Sequence, residues 1–184
     1  MVDGVKATCI DAGNPCVFIQ AQDVDMDGTI LPDALDSDPA LLSKLESIRR
    51  KASVAMGISK DELSTPHSIP KIAMVSRSKS YKLLSGDSID GSTIDLVVRA
   101  LSVGQPHRAL PITVAMAIAV AANIEGSTVY VNASTKRVAQ DGVTLGHPSG
   151  KIMVGAQFDD KGSLANATVF RTARRLMDGT VYWK

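Results

Sequence analysis

Aromatic side chains are scarce in this chain, at 4% of 184 residues, with one tryptophan. Its core must therefore be built from Ala, Val, Ile, Leu and Met. Charge of one sign is missing too: 20 basic residues against 19 acidic ones leave a formal +1. No basic block is present and no aromatic residues interleave with basic ones, so nucleic acid is not expected as a partner. No apolar run reaches the ~20 residues that a membrane-crossing helix requires. The start, MVDGVKATCID, shows neither a signal-peptide apolar stretch nor an Arg-rich transit pattern. The expectation is a soluble, cytoplasmic protein with no membrane partner. Cysteine is limited to Cys9 and Cys16, with six residues between them. That spacing is neither a CxxC redox pair nor a zinc knuckle, and both are expected on or beside strands as small buried hydrophobes. His67, His107 and His147 lie far apart without metal-ligand spacing, so no metal is expected.

What is present is a globular composition, 45% hydrophobic and 21% charged, with length for one domain over residues 1–184. Its centre is the stretch from Gly104 to Asn123, GQPHRALPITVAMAIAVAAN, in which Ile112 to Ala122 is apolar except at Thr113. A helix apolar all round is a buried helix, and small alanines let strands approach its backbone. Pro111 suits a first helical turn. Free N–H groups and the positive dipole end at the helix start favour an anion, and Thr113 adds a hydroxyl there. Gln105, His107 and Arg108 precede it. Two readings stand: a carboxylate or phosphate site, or a core helix with an ordinary polar lead-in.

The rest of the chain frames that helix. Residues 5–10 and Cys16–Gln20 read as strands joined by the turn Asp11-Ala12-Gly13-Asn14-Pro15. Asn14, held extended by the following proline, offers an amide with donors and an acceptor; a plain turn is the alternative. Asp23-Val24-Asp25-Met26-Asp27-Gly28 copies the first half of an EF-hand loop, but the twelfth position is Ala34 and Pro32 interrupts, so a solvated acidic loop is expected. Asp38-Pro39 opens an amphipathic helix to about Met56. Leu41, Leu45, Ile48, Ala52 and Met56 form its apolar face, Lys44, Arg49, Arg50 and Lys51 its wet side, and Gly57 its close. Strands are expected at 71–76, 94–102, 128–132, 143–145, 151–158 and 164–172, with a loop or hairpin over 76–91. Asp178-Gly179 signals a final hairpin before a strand at 180–183. Gly146-His147-Pro148-Ser149-Gly150 does not match a nucleophile elbow, which needs Gly-x-Ser-x-Gly between strand and helix. The turn either displays His147 and Ser149 toward a cleft or is structural. Arg171, Arg174 and Arg175 form either an anion site or an exposed basic cluster.

Taken together, IDAGNPCVFI, VGQPHRALPITVAMAIAVAA, LGHPSG and RTARRLMDGTVY resemble the methylaconitate isomerase (PrpF-type) family, from about Val5 to Tyr182. That family includes aconitate-type isomerases and oxalomesaconate tautomerases and shares the diaminopimelate epimerase fold. The resemblance implies an α+β fold in which a curved mixed sheet wraps a central apolar helix, 110–123, with helix 39–56 outside. It implies a cofactor-independent isomerase of a small unsaturated tricarboxylate. Family members have two similar halves with the active site between them, and this chain resembles the C-terminal half. The proton-transferring cysteine and lysine belong to the N-terminal half, so no catalytic residue is assigned here and that half is an expected partner; homo-oligomers are possible partners. Without it the chain is alternatively an inactive fragment or an assembly module. By the resemblance, Gly13 and Asn14 of the Gly-Asn-Pro turn and Thr113 at the helix start bind substrate, and His107, Ser149 and Gly150 face the cleft. Where the family often has Thr-Gly entering the helix, this chain has Thr113-Val114, and a side chain at 114 is expected to crowd the substrate.

Overall fold

The computed structural model describes residues 1–172 and 175–183. Strands β1 (Ala7–Asp11) and β2 (Pro15–Gln20) form an antiparallel hairpin. Its turn requires Gly13, whose φ of +87° would strain any side chain. A 3₁₀ turn, Ala21–Val24, overlaps the start of the segment expected as an acidic loop, and helix α1 (Pro32–Asp36) follows that segment, with Pro32 in its first turn. Helix α2 (Pro39–Ala55) begins as expected, with the Asp38 carboxylate accepting from the Leu41 N–H at 3.0 Å.

Beyond it come β3 (Lys71–Arg77), the small hairpin β4 (Tyr81–Lys82) and β5 (Ser88–Ile89), then β6 (Leu96–Ser102) and β7 (Gln105–Pro106). The central helix is α3 (Ile112–Ala121), followed by α4 (Thr128–Asn132). Strands β8 (Val143–His147), β9 (Gly150–Phe158) and β10 (Leu164–Phe170) complete the fold.

The main sheet has the order β1-β2-β3-β6-β8-β9-β10, with β7 paired to β6. It is mixed: β2 with β3 and β6 with β8 run parallel, and the other neighbours run antiparallel. It curves as a half-barrel in an α+β fold, as expected. Side chains alternate across a strand, and this sorts the core into two layers. Phe18, Ala73, Val75, Leu96, Val98, Ala100, Leu145 and Val154 point inward onto Val114, Ala115, Ile118 and Ala119 of α3. Val17, Ile19, Ile72, Met74 and Leu101 point outward and pack with Leu41, Leu45, Ile48 and Ala52 of α2. No helix among the described residues is long and apolar enough to cross a membrane.

Several expectations are corrected here. Thr128–Asn132 is a helix and not a strand: the Ser127 hydroxyl caps it, accepting from the Tyr130 N–H at 2.9 Å, and that local cap overrides the β-branched composition. Arg49 does not lie on the wet side of α2. It is 3% exposed, because its guanidinium pairs with Glu46 and donates to the Pro66 and Ile69 carbonyls. Cys16 is buried as expected, but Cys9 is exposed, on the face of edge strand β1 opposite Thr8 and Ile10. Thr180–Trp183 is not a strand: the described residues from Arg175 to Trp183 carry no regular structure. A hairpin arm needs a strand beside it, and no described strand pairs there.

Candidate functional site

The N-terminus of α3 opens at one end of the curved sheet. Pro111 stands at the cap position and has no side chain able to cap, and no other side chain caps this end. The first bond back along the helix runs from the Ala115 N–H to the Pro111 carbonyl, at 3.0 Å. The N–H groups of Ile112, Thr113 and Val114 therefore remain available beside the positive end of the helix dipole. Ile112 and Thr113 are exposed. Asn14, from the β1–β2 turn, donates its Nδ2–H to the Thr113 hydroxyl at 3.0 Å, so two motifs 99 residues apart in sequence meet. Gly13 sits in the same turn, and its positive φ gives that turn its shape. Val114 does not crowd this place: it is 1% exposed and packed into the inner core, so its side chain points away from solvent.

The lead-in residues separate. His107 stays at the rim, where its ring Nε2 lies 2.6 Å from the Ser102 hydroxyl and its backbone N–H donates to the Ala100 carbonyl at 2.8 Å. Burial lowers its pKa, and the charge of Lys71 lowers it further. Gln105 and Arg108 turn instead to a shallow depression of about 220 Å³ with Asp33 and Asp36, and Arg108 pairs with Asp33 at 2.8 Å.

The β8–β9 turn lies next to this rim. The Ser149 hydroxyl donates to the Arg108 carbonyl at 2.5 Å, which ties the turn to the segment entering α3. Gly150, at φ +144°, begins β9 opposite His147. The Ser149 N–H donates to His147 Nδ1 at 3.2 Å, so the neutral ring carries its proton on Nε2. No bond joins the Ser149 hydroxyl to the His147 ring, so this is not a nucleophile–base pair. A cavity of about 330 Å³ opens here, lined by His147, Ser149, Lys151, Met153, Phe170 and Arg171. Burial is the main cause that pushes the His147 pKa down to about 4, helped by Arg99 and Arg171. Arg171 thus faces the turn, whereas Arg175 pairs with Asp178 at an exposed place. Arg174 lies outside the described residues.

The thiols are poorly placed for proton transfer. Partial desolvation against the sheet raises the pKa of Cys9 although solvent reaches it, and full burial pushes that of Cys16 up to about 12. Among the described residues no group of three or more His, Cys, Asp and Glu side chains could hold a metal ion. In the EF-hand-like segment, Asp27 is engaged by Lys79 at 2.7 Å and by the Thr29 N–H and hydroxyl. A larger cavity, about 520 Å³, lies at the far end of β2 and β3 among Gln20, Asp27, Ser76, Arg77 and Asn132, away from every residue read as a site from sequence.

One rim residue went unread in the sequence. Lys71 opens β3, in register with Cys16 of β2 and so one strand away from the Asn14 turn. Sequence reading took it only as the start of a strand, and no local motif marks it.

Fold and rim together define a class: α+β proteins whose curved sheet encloses a helix and leaves that helix's uncapped N-terminus open to solvent. Comparison with known proteins makes this specific. The family model described as PrpF protein matches residues 2–184, and the chain belongs to the PrpF family. It is 42% identical to a protein named 2-methyl-aconitate isomerase from Shewanella oneidensis, over 96% of this chain and 45% of that protein. It is 35% identical to 3-methylitaconate isomerase of Eubacterium barkeri, over 97% of this chain and 47% of that protein. A solved structure titled methylitaconate-delta-isomerase superposes with a TM-score of 0.86 at 33% identity, covering 98% of this chain and 49% of the other. The chain spans about half the length of the curated relatives it matches.

Proposed function

We propose that this chain supplies the carboxylate-binding half of a cofactor-independent isomerase acting on small unsaturated tricarboxylates of the methylaconitate or aconitate type. The observation that carries this reading is the uncapped start of α3, with Thr113 held by Asn14, in a chain that family membership relates to isomerases. The reaction is an allylic proton transfer. A base removes a proton acidified by the conjugated acid, charge develops on the carboxylate side as an enolate, and a proton returns at another carbon. Fixed donors aimed at that charge lower the barrier, and the N–H groups of α3 with the Thr113 hydroxyl are such donors. The base and acid come from the complementary half. The raised pKa values of Cys9 and Cys16 support that assignment, because neither thiol readily forms a thiolate near neutral pH.

The test is proton exchange. Trans-aconitate is incubated in deuterated water with this chain, with and without a separately produced N-terminal half, and its allylic protons are followed by NMR. The expected result is exchange only with both halves present. Exchange by this chain alone would show that it carries its own base, with His107 the first candidate. No exchange with both halves folded and bound would remove the isomerase reading.

A second reading is favoured by a different observation. Leu176, Met177, Val181, Tyr182 and Trp183 are each between 85% and 93% exposed, so the chain carries apolar side chains that another protein surface would cover. Under this reading it is an assembly module, and it binds the N-terminal half without turnover.

A further inference from the structure

Lys71 stands on the inner side of the sheet. Within β3, Ile72 and Met74 pack outward with α2, while Ala73 and Val75 pack inward on α3. Alternation therefore places Lys71 on the α3 face, at the end of the sheet where α3 begins. Its strand neighbour Cys16 is also inward and buried. Pro15 separates Cys16 from Asn14, which reaches Thr113. Lys71 thus stands one strand spacing, about 4.8 Å, from Cys16, two residues along from the Asn14 that holds the helix start, on the same rim.

Lys71 is half-buried, and among the described residues its ammonium has neither an ion pair nor a hydrogen bond. Of the other cations of intermediate burial, Arg50 is paired with Glu46 and Lys51 with Asp3, while Arg137 has no ion pair but donates to the Ala122 carbonyl. Asp11, at the end of β1, is the acid close enough to influence Cys16, yet it forms no ion pair with Lys71. A cation withdrawn from water without a counter-charge is costly unless a ligand supplies one. Its charge is close enough to lower the pKa values of His107 and Cys16, which places it beside both on this rim.

We infer that Lys71 is a specificity residue that holds a second carboxylate of the substrate while the N-terminus of α3 holds the first. The inference rests on the proposed carboxylate-binding function and extends it: the site selects acids with two or more carboxylates over monocarboxylates. Lys71 binds and positions; no proton transfer is assigned to it. A flexible ammonium suits carboxylates set at different separations.

The test titrates trans-aconitate and crotonate, an unsaturated monocarboxylate, into the full chain while following the amide resonances of Thr113 and Val114. For Lys71→Met, the Kd for trans-aconitate is expected to rise about 10-fold, the loss of one charge-assisted hydrogen bond, with crotonate unaffected. Lys71→Arg is expected to keep most of the discrimination. In lysine-labelled wild-type protein, the Lys71 side-chain resonance should move with trans-aconitate and not with crotonate. An equal effect on both acids, or an unmoved Lys71 resonance during trans-aconitate binding, would overturn the assignment of Lys71 and leave the helix-start site standing. Failure of the wild type to bind either acid would overturn the site itself and Lys71 with it.

Discussion

Asn14 holds the Thr113 hydroxyl through its Nδ2–H, which leaves the hydroxyl proton to be donated toward a ligand. Thr113→Val keeps the shape and removes that donor, while Asn14→Ala frees the hydroxyl to turn away. Each is expected to weaken trans-aconitate binding about 3- to 10-fold, measured by calorimetry; unchanged affinity in both would remove the pair from the site. His147 makes a second prediction. Its pKa in the folded chain is about 4, below the ordinary 6.5, because burial disfavours the imidazolium. Between those values the unfolded chain binds more protons than the folded one, so stability falls as pH drops from 6.5 toward 4. A shift of that size corresponds to about 3 kcal/mol, reduced to roughly 1–2 kcal/mol by partial solvent exposure. His147→Gln should flatten this part of the pH–stability curve in urea titrations; an unchanged slope would place the acid sensitivity elsewhere.

Helix α4 is capped by the residue before it. The Ser127 hydroxyl accepts from the Tyr130 N–H and donates to the Ala121 carbonyl at 2.6 Å, joining the start of α4 to the end of α3. Ser127→Ala is expected to cost about 1 kcal/mol, read as a lower urea midpoint with an unchanged slope. The same residue explains why 128–132 misled the sequence reading: Thr, Val, Tyr and Val favour strands, and a short polar residue in front outweighed them. Local punctuation was legible elsewhere. Asp38-Pro39 placed the start of α2, Gly13-Asn14-Pro15 placed a turn, and the apolar run placed α3. Side-chain environments set by distant segments were not legible. Arg49 reads as a wet-face residue until the carbonyls of Pro66 and Ile69 are brought over it. Lys71 reads as the start of a strand, because its position beside Asn14 arises only from parallel pairing with β2, across more than 50 residues of sequence.

The whole molecule joins a well-packed body to an exposed end. Cores facing α2 and α3 are filled with small and branched aliphatics, while the largest apolar side chains of residues 175–183 face water. Replacing Leu176, Met177, Val181 and Tyr182 together by serine is expected to lower the chain's self-association in sedimentation velocity and to leave the thermal midpoint unchanged. Equal association would take the tail out of the assembly reading, and a lowered midpoint would show that it packs on the body. Trp183 gives this arrangement an optical consequence. As the one tryptophan in the chain, 91% exposed outside every strand and helix, it already emits as indole in water. Denaturant will melt the sheet around α3 with almost no change in that emission, so a fluorescence trace that stays flat will not mean that the protein stayed folded. A shift to the blue will instead register the moment another surface closes over the tail.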